Sequence, residues 1–245
     1  MSSHILILAP QDLLRQVLET TTSLLSRAGK TVRTAVPGAS LESSSDEVSD
    51  CVLWGVSDAD LSQIAAMSDE APAVVAVLGD IGLQQEQEQA LGALGTMAPM
   101  VLRRDVASVA ALAPPPLPAN RGPRSATKVV PRVAVSVGLD GPTRAGDWGQ
   151  VIEGGTEGGM RWLVRAIADD EGLKRRKDEE PHIHLQRLMP AQALKGWCED
   201  TREQNETMVS ALTALALGSL LGCPLAAMLH GLRDVRGTSA GGGAA

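Results

Sequence analysis

Apolar residues along the chain follow two rhythms. Short continuous runs occupy residues 4–9 (HILILA), 31–36, 51–56 (CVLWGV), 72–78, 100–103 and 132–137, each of strand length and rich in Val, Leu and Ile. Between them the spacing turns helical. In QDLLRQVLETTTSLLSRAG (11–29), Leu13, Val17, Leu24 and Leu25 fall on one face, Asp12 offers an N-cap and Gly29 a stop. Helical stretches are also expected at 61–67, 85–97 and 106–113, and residues 38–50 read as a polar helix or loop. Unbroken apolar strands separated by helices predict an α/β fold, a mainly parallel sheet with helices on both faces.

Beyond residue 112 the pattern changes. APPPLPANRGPRSATK (113–128) continues neither element and reads as a surface loop or linker. Residues 141–166 form a glycine-punctuated segment that predicts a small antiparallel hairpin, with Trp148 and Trp162 as the rings available to cover it. ADDEGLKRRKDEEP (168–181) reads as a solvated loop, and HIHLQRLMP alternates again. Met208, Leu212, Leu215, Ser219, then Leu225, Met228, Leu229 and Leu232 give two helices broken around Gly222 and Pro224. Residues 1–237 are expected to form one domain and 238–245 a disordered tail.

Charge narrows the partners. Acidic residues outnumber basic ones 29 to 22, which leaves no electrostatic footprint for nucleic acid. No apolar run reaches membrane-spanning length and the start lacks the pattern of a secretory leader. Three well-separated cysteines, Cys51, Cys198 and Cys223, suit neither a disulfide framework nor a zinc site, so a reducing, cytoplasmic setting is expected. Phe and Tyr are both absent, so the core must be built from aliphatic side chains, Met and four Trp.

Residue patterns alone give few chemical candidates. His182 and His184 lie two apart on one face of a strand and, with a carboxylate such as Glu180, would make an incomplete metal site; two surface histidines explain them as well. GGTEGG (154–159) lies between two strands, where glycine makes a turn and not a phosphate cradle. The LKRRK cluster is a solvated face or a docking surface for an acidic partner. Cys198 has no companion that would make it a nucleophile. No catalytic residue and no metal ligand emerges.

One resemblance goes further. SVGLDGPTRAGDWGQ, GGMRWLVRA, RRKDEEPHIHLQRLMPAQAL and NETMVSALTALALGSLLGCPLAAMLHGLRDVRG occur in the order found in the central ATPase domain of the Mur ligases, peptidoglycan-precursor enzymes, and are most similar to its D-glutamate-adding branch. SLLSRAGKTVRTAVPG, APAVVAVLG and PMVLRRD resemble its earlier elements. The resemblance implies a P-loop-like fold, ATP and magnesium as cofactors, and ATP-dependent amide formation. It also implies a phosphate loop after the first strand. There the chain reads APQDLLRQ, with Leu14 at the family's lysine and Arg15 at its metal-binding hydroxyl. Trp54 and Gly55 stand where the family carries a magnesium carboxylate, with Asp58 and Asp60 displaced further on. GDIGLQQEQEQ lacks the family's histidines, and ALGALGTM lacks its modified lysine.

Two residues remain as nucleotide contacts. Asn205 resembles the asparagine beside the base, although an Asn near a helix start also suits a cap, and Arg15 offers one positive charge to an anion. The family's outer domains, for UDP-sugar and for amino acid, have no counterpart in these residues. A Mur-ligase-like domain that kept the fold and lost the chemistry, a relic or a module for a protein partner, is therefore expected. The alternative takes residues 1–112 as a receiver-like signalling domain with a flavodoxin-like sheet. The attachment of VAVSVGLD decides between them: in the same sheet it favours the ligase reading.

Overall fold

The apolar runs assemble into a single nine-stranded sheet in the computed structural model, which describes residues 2–35, 49–57, 72–83, 89, 91, 98–112, 134–154, 159–168, 182–197 and 200–233. Strand β1 (Ser3–Leu8) lies at the heart of it, between β3 (Cys51–Val56) and β4 (Val74–Val77), and pairs in parallel with both. Outward from β3 lies β2 (Val32–Ala35); outward from β4 come β5 (Met100–Arg103) and β6 (Ala134–Val137), all parallel. Alternation along the strands divides the core in two. Ile5 and Ile7 face one apolar cluster, Leu6 and Leu8 the other, and all four are fully buried. A strand with no solvent face must be apolar at every position, which is why HILILA has no polar alternation.

The first face is covered by α1 (Gln11–Arg27), α3 (Thr201–Leu220) and α4 (Leu225–Arg233); α2 (Ala107–Ala110) is a single turn, shorter than the stretch expected at 106–113. Helices α1 and α3 both end in Schellman geometry. Gly29 (φ +84°) and Gly222 (φ +74°) adopt the left-handed conformation, and the next amides, Lys30 and Cys223, bond back to Leu25 and Gly218 at 3.0 and 2.8 Å. Gly218 lets α4 lie close to α3: a Cβ there would sit 2.4 Å from Met228 Sδ. Met208, Leu212, Leu215, Met228 and Leu232 are buried as their spacing predicts, while Leu225 and Leu229 are partly buried.

The sheet continues beyond β6. Strand β7 (Trp148–Glu153) joins it through a single pair, Val137 with Trp148, and then runs antiparallel to β8 (Met160–Ala168), which pairs with β9 (Ile183–Pro190) across a bulge at Leu163 and Val164. The expected two-stranded hairpin is therefore part of a three-stranded antiparallel unit, because HIHLQRLMP supplies a further edge. Its two tryptophans differ. Trp148 is 1% exposed in the main core, with the Arg165 guanidinium 5.0 Å from its ring, whereas Trp162 is half-buried beneath Arg187. Arg187 also pairs with Glu153.

The strand order does not favour the receiver alternative. A flavodoxin-like sheet runs 2-1-3-4-5, with the first strand beside the second. Here β3 lies between β2 and β1, giving 2-3-1-4-5, and β6, which carries the AVSV of VAVSVGLD, hydrogen-bonds to β5 in the same sheet. Gln89 and Leu91 are helical, in agreement with the helix expected at 85–97. The expected loop or helix at 38–48, the helix at 61–67, the linker at 113–128, the LKRRK loop and the tail at 238–245 lie outside the described residues.

Candidate functional site

In an open parallel sheet, ligands are held at the carboxyl ends of the strands, where the connections diverge. That edge carries the β1–α1 turn, and the turn is short: β1 ends at Leu8 and α1 begins at Gln11, leaving only Ala9 and Pro10 between them. Ala9 is tied to the sheet through its N–H to the Val56 carbonyl at 3.2 Å. Pro10 takes the N-cap position without a side-chain cap, and its carbonyl accepts the Leu14 N–H at 2.8 Å. Asp12, expected as the cap, lies in the first helical turn instead.

Neighbouring packing closes the turn further. A Cβ on Gly79, at the end of β4, would sit 2.4 Å from Pro10 Cδ, so the proline ring occupies the space beside β4. Leu13 and Leu14 point into the core, and Leu14 and Leu18 approach Gly55 of β3 so closely that a Cβ there would meet Leu18 Cδ1 at 2.8 Å. The amides of Gln11, Asp12 and Leu13 belong to the first turn, whose N–H groups have no acceptor within the helix. They share that turn with the Asp12 carboxylate, which faces Arg202 at 3.8 Å. An anion arriving there meets three N–H donors and a negative charge, with no glycine wrap around it.

The two residues expected to contact nucleotide lie on different helices, Arg15 on α1 and Asn205 on α3. Arg15 is exposed on α1 and lines the cleft between α1 and the start of α3, together with Asp12, Glu19, Asp200, Arg202, Glu203 and Glu206. Carboxylates outnumber guanidinium groups in that cleft by five to two, a balance that repels a polyphosphate. Asn205 is half-buried on α3 and is not among the residues lining the cleft. The cap of α3 is Asp200, whose Oδ1 accepts the Glu203 N–H at 2.9 Å, so Asn205 lies five residues inside the helix.

A polar cluster unforeseen from the sequence stands further along the carboxyl edge. Arg104, just after β5, donates from Nε to Asp140 Oδ1 at 2.7 Å, from Nη1 to Ser136 Oγ at 3.2 Å and to the Trp148 carbonyl at 2.7 Å, and from Nη2 to the Asp140 carbonyl at 2.6 Å. Gln150 Nε2 donates to the Leu139 carbonyl at 2.5 Å. Buried Asp147 accepts the Ser136 N–H at 2.7 Å. Burial pushes the Asp147 carboxyl above the ordinary carboxylate range, against the Ser136 hydrogen bond and the positive charge of Arg104. Every Arg104 nitrogen is engaged, so this is a structural clasp that ties β7 to the parallel sheet. Arg104 and Asp140 lie 36 positions apart, and no local spacing rule links them.

The remaining candidates stay apart. His182 and His184 are exposed, Glu180 lies outside the described residues, and no group of three metal-ligating side chains occurs among the described residues. Cys51 and Cys223 are buried free thiols whose pKa values burial raises, which suits packing and not nucleophilic attack. Cys198 lies outside the described residues. None of the described helices is long and apolar enough to cross a membrane.

Comparison with known proteins connects these features. No family model matches the chain. In sequence it is similar to UDP-N-acetylmuramoylalanine--D-glutamate ligase of Albidiferax ferrireducens, 42% identical over 146 residues that cover 58% of this chain and 25% of that enzyme. The same enzyme of a Polaromonas species is 42% identical over 138 residues, 56% of this chain and 21% of its own length. The matches thus span about a quarter of these relatives. In structure the chain is similar to UDP-N-acetylmuramoyl-L-alanyl-D-glutamate--2,6-diaminopimelate ligase, with a TM-score of 0.51 at 12% identity over 96% of this chain and 46% of that one, a likeness of fold.

Proposed function

The chain is related to the Mur ligases in sequence and carries the fold of their central domain, and from that premise we propose that it is a Mur-ligase-like domain of the D-glutamate-adding branch that neither holds ATP nor forms an amide bond. The observation that carries this reading is the β1–α1 turn. A phosphate loop works because glycines let several backbone N–H groups curl around the phosphates while a lysine and a hydroxyl complete the cage. Two residues do not span such a curl. Pro10 offers no N–H, its ring fills the space beside Gly79, and the side chains of Leu13 and Leu14 are committed to the core.

A nucleotide in this fold would depend on what remains. Arg15 supplies one exposed charge among carboxylates, and Asn205 on α3 is the second position at which a contact would be sought. Without preorganised donors at the transferred phosphate and without a carboxylate at Trp54 or Gly55 for magnesium, transition-state charge on that phosphate has no stabilising partner. A role in binding a protein partner in the cytoplasm is the function this leaves.

The reading is tested by titrating the chain with ATP and magnesium, in parallel with Arg15→Ala and Asn205→Ala. The expected result is no saturable heat and no rise in melting temperature for any of the three. Micromolar binding lost in either variant would overturn it and identify that residue as a working nucleotide contact.

A further inference from the structure

We propose that the cavity enclosed by α1, α3, α4 and the 194–196 turn is a binding site for a small zwitterion, a free amino acid with a short aliphatic side chain. The cavity has a volume of about 130 Å³. Its wall carries four neutral polar side chains, Gln16, Thr20, Ser23 and Thr207, and two charged ones of opposite sign, Glu19 and Lys195.

The polar groups are organised and only partly used. Gln16 Nε2 donates to Thr207 Oγ1 at 2.9 Å, which fixes the Gln16 amide and leaves its carbonyl oxygen as an acceptor and the Thr207 hydroxyl proton as a donor. Thr207 is only 5% exposed and lines the cavity, so its hydroxyl is offered to a molecule held there and little to bulk solvent.

Charge then selects the ligand. A simple anion drawn to Lys195 meets the Glu19 carboxylate on the same wall, and a simple cation drawn to Glu19 meets Lys195. A molecule with an ammonium and a carboxylate on one carbon answers both, with the hydroxyls and the Gln16 amide taking its remaining hydrogen bonds. Leu194 and Leu232 complete the wall with hydrocarbon, which suits a methyl or a short branched chain and offers nothing to a further charge. Gly231 shapes the enclosure: a Cβ there would come within 3.2 Å of Leu24 Cα, so its absence lets α4 close against α1.

This site does not rest on the nucleotide reading, since none of its polar groups belongs to the β1–α1 turn. The test is calorimetry and thermal shift on the full chain with glycine, L-alanine and D-alanine as probes, against N-acetylalanine, which lacks the ammonium, and alaninamide, which lacks the carboxylate. A saturable millimolar response to free amino acids is expected. Glu19→Gln and Lys195→Met, both at exposed positions, should each weaken it about tenfold, the scale of one charged hydrogen bond. Three results would overturn the proposal: no saturable response to any free amino acid, meaning a cavity that holds solvent only; equal responses to the blocked derivatives; or binding unchanged in both variants.

Discussion

Replacing Arg104 with Ala tests how much the Arg104 clasp adds to the attachment of the antiparallel unit to the parallel sheet. Strands β6 and β7 share only the Val137–Trp148 pair in the ladder, and the Arg104 guanidinium adds a side-chain donor to the Trp148 carbonyl. Arg104 is 15% exposed, but Asp140 is 63% exposed, so their ion pair contributes at most about 1 kcal/mol after solvent screening. The larger effect comes from the charge-assisted hydrogen bonds to the carbonyls of Trp148, a residue only 1% exposed, and Asp140: such bonds contribute about 1.5–3 kcal/mol. The expected loss is therefore about 1.5–4 kcal/mol, read as a lower midpoint in urea with an unchanged slope. Arg104→Lys should recover only part, because an ammonium lacks the planar fork that reaches several acceptors at once. Gly149 provides an internal control. A Cβ there would sit 2.2 Å from the Asp140 carbonyl oxygen and 2.5 Å from Arg104 Nη2, so Gly149→Ala should break the same clasp, and the double variant should lose clearly less than the sum. A loss below about 0.5 kcal/mol for Arg104→Ala, or strict additivity with Gly149→Ala, would refute the clasp.

Other outcomes follow from the same geometry. Trp148→Ala should cost about 3–5 kcal/mol in a denaturant titration, as for a fully buried ring, and half-buried Trp162→Ala clearly less; the reverse ranking would mean the two faces of the unit are exchanged. Burial raises the Asp147 pKa in the folded chain, which therefore binds that proton more tightly than the unfolded chain does. Its contribution to stability is fullest below the ordinary aspartate pKa and is lost as pH rises through the elevated folded value, so Asp147→Asn should flatten the fall in melting temperature over that window. Gly222→Ala meets no atom within 4 Å yet forces an L side chain into a left-handed torsion, and should cost about 1–2 kcal/mol by chemical denaturation, where a neutral result would contradict the assigned turn.

How far the fold can be read from the chain depends on the kind of contact. The central strands are legible because a strand buried on both faces must be apolar throughout, and HILILA and CVLWGV show it. The ends of α1 and α3 are legible because only glycine fits the torsions at positions 29 and 222 at no cost. HIHLQRLMP is harder: its alternation marks a strand, but the partner β8 lies across a long charged segment, so pairing is a tertiary outcome. The clasp was hidden for the same reason. Nothing around Arg104 distinguishes it from Arg103, which turns instead to Asp105 two residues away. At the β1–α1 turn the sequence told which residue types are missing. It did not tell that the proline ring would pack beside β4 or that Asp200 would cap α3 in place of Asn205.

The most direct test of the central claim is isothermal titration of the unmodified chain with ATP in excess magnesium, beside a variant carrying a glycine-rich loop with lysine and threonine across Pro10 to Arg15. If the two-residue β1–α1 turn holds no phosphate, as proposed, the unmodified chain should give only heats of dilution, and the variant should gain measurable affinity where the sheet around it is intact. Saturable micromolar binding by the unmodified chain, abolished by Arg15→Ala, would contradict the account and make Arg15 the working substitute for the missing lysine.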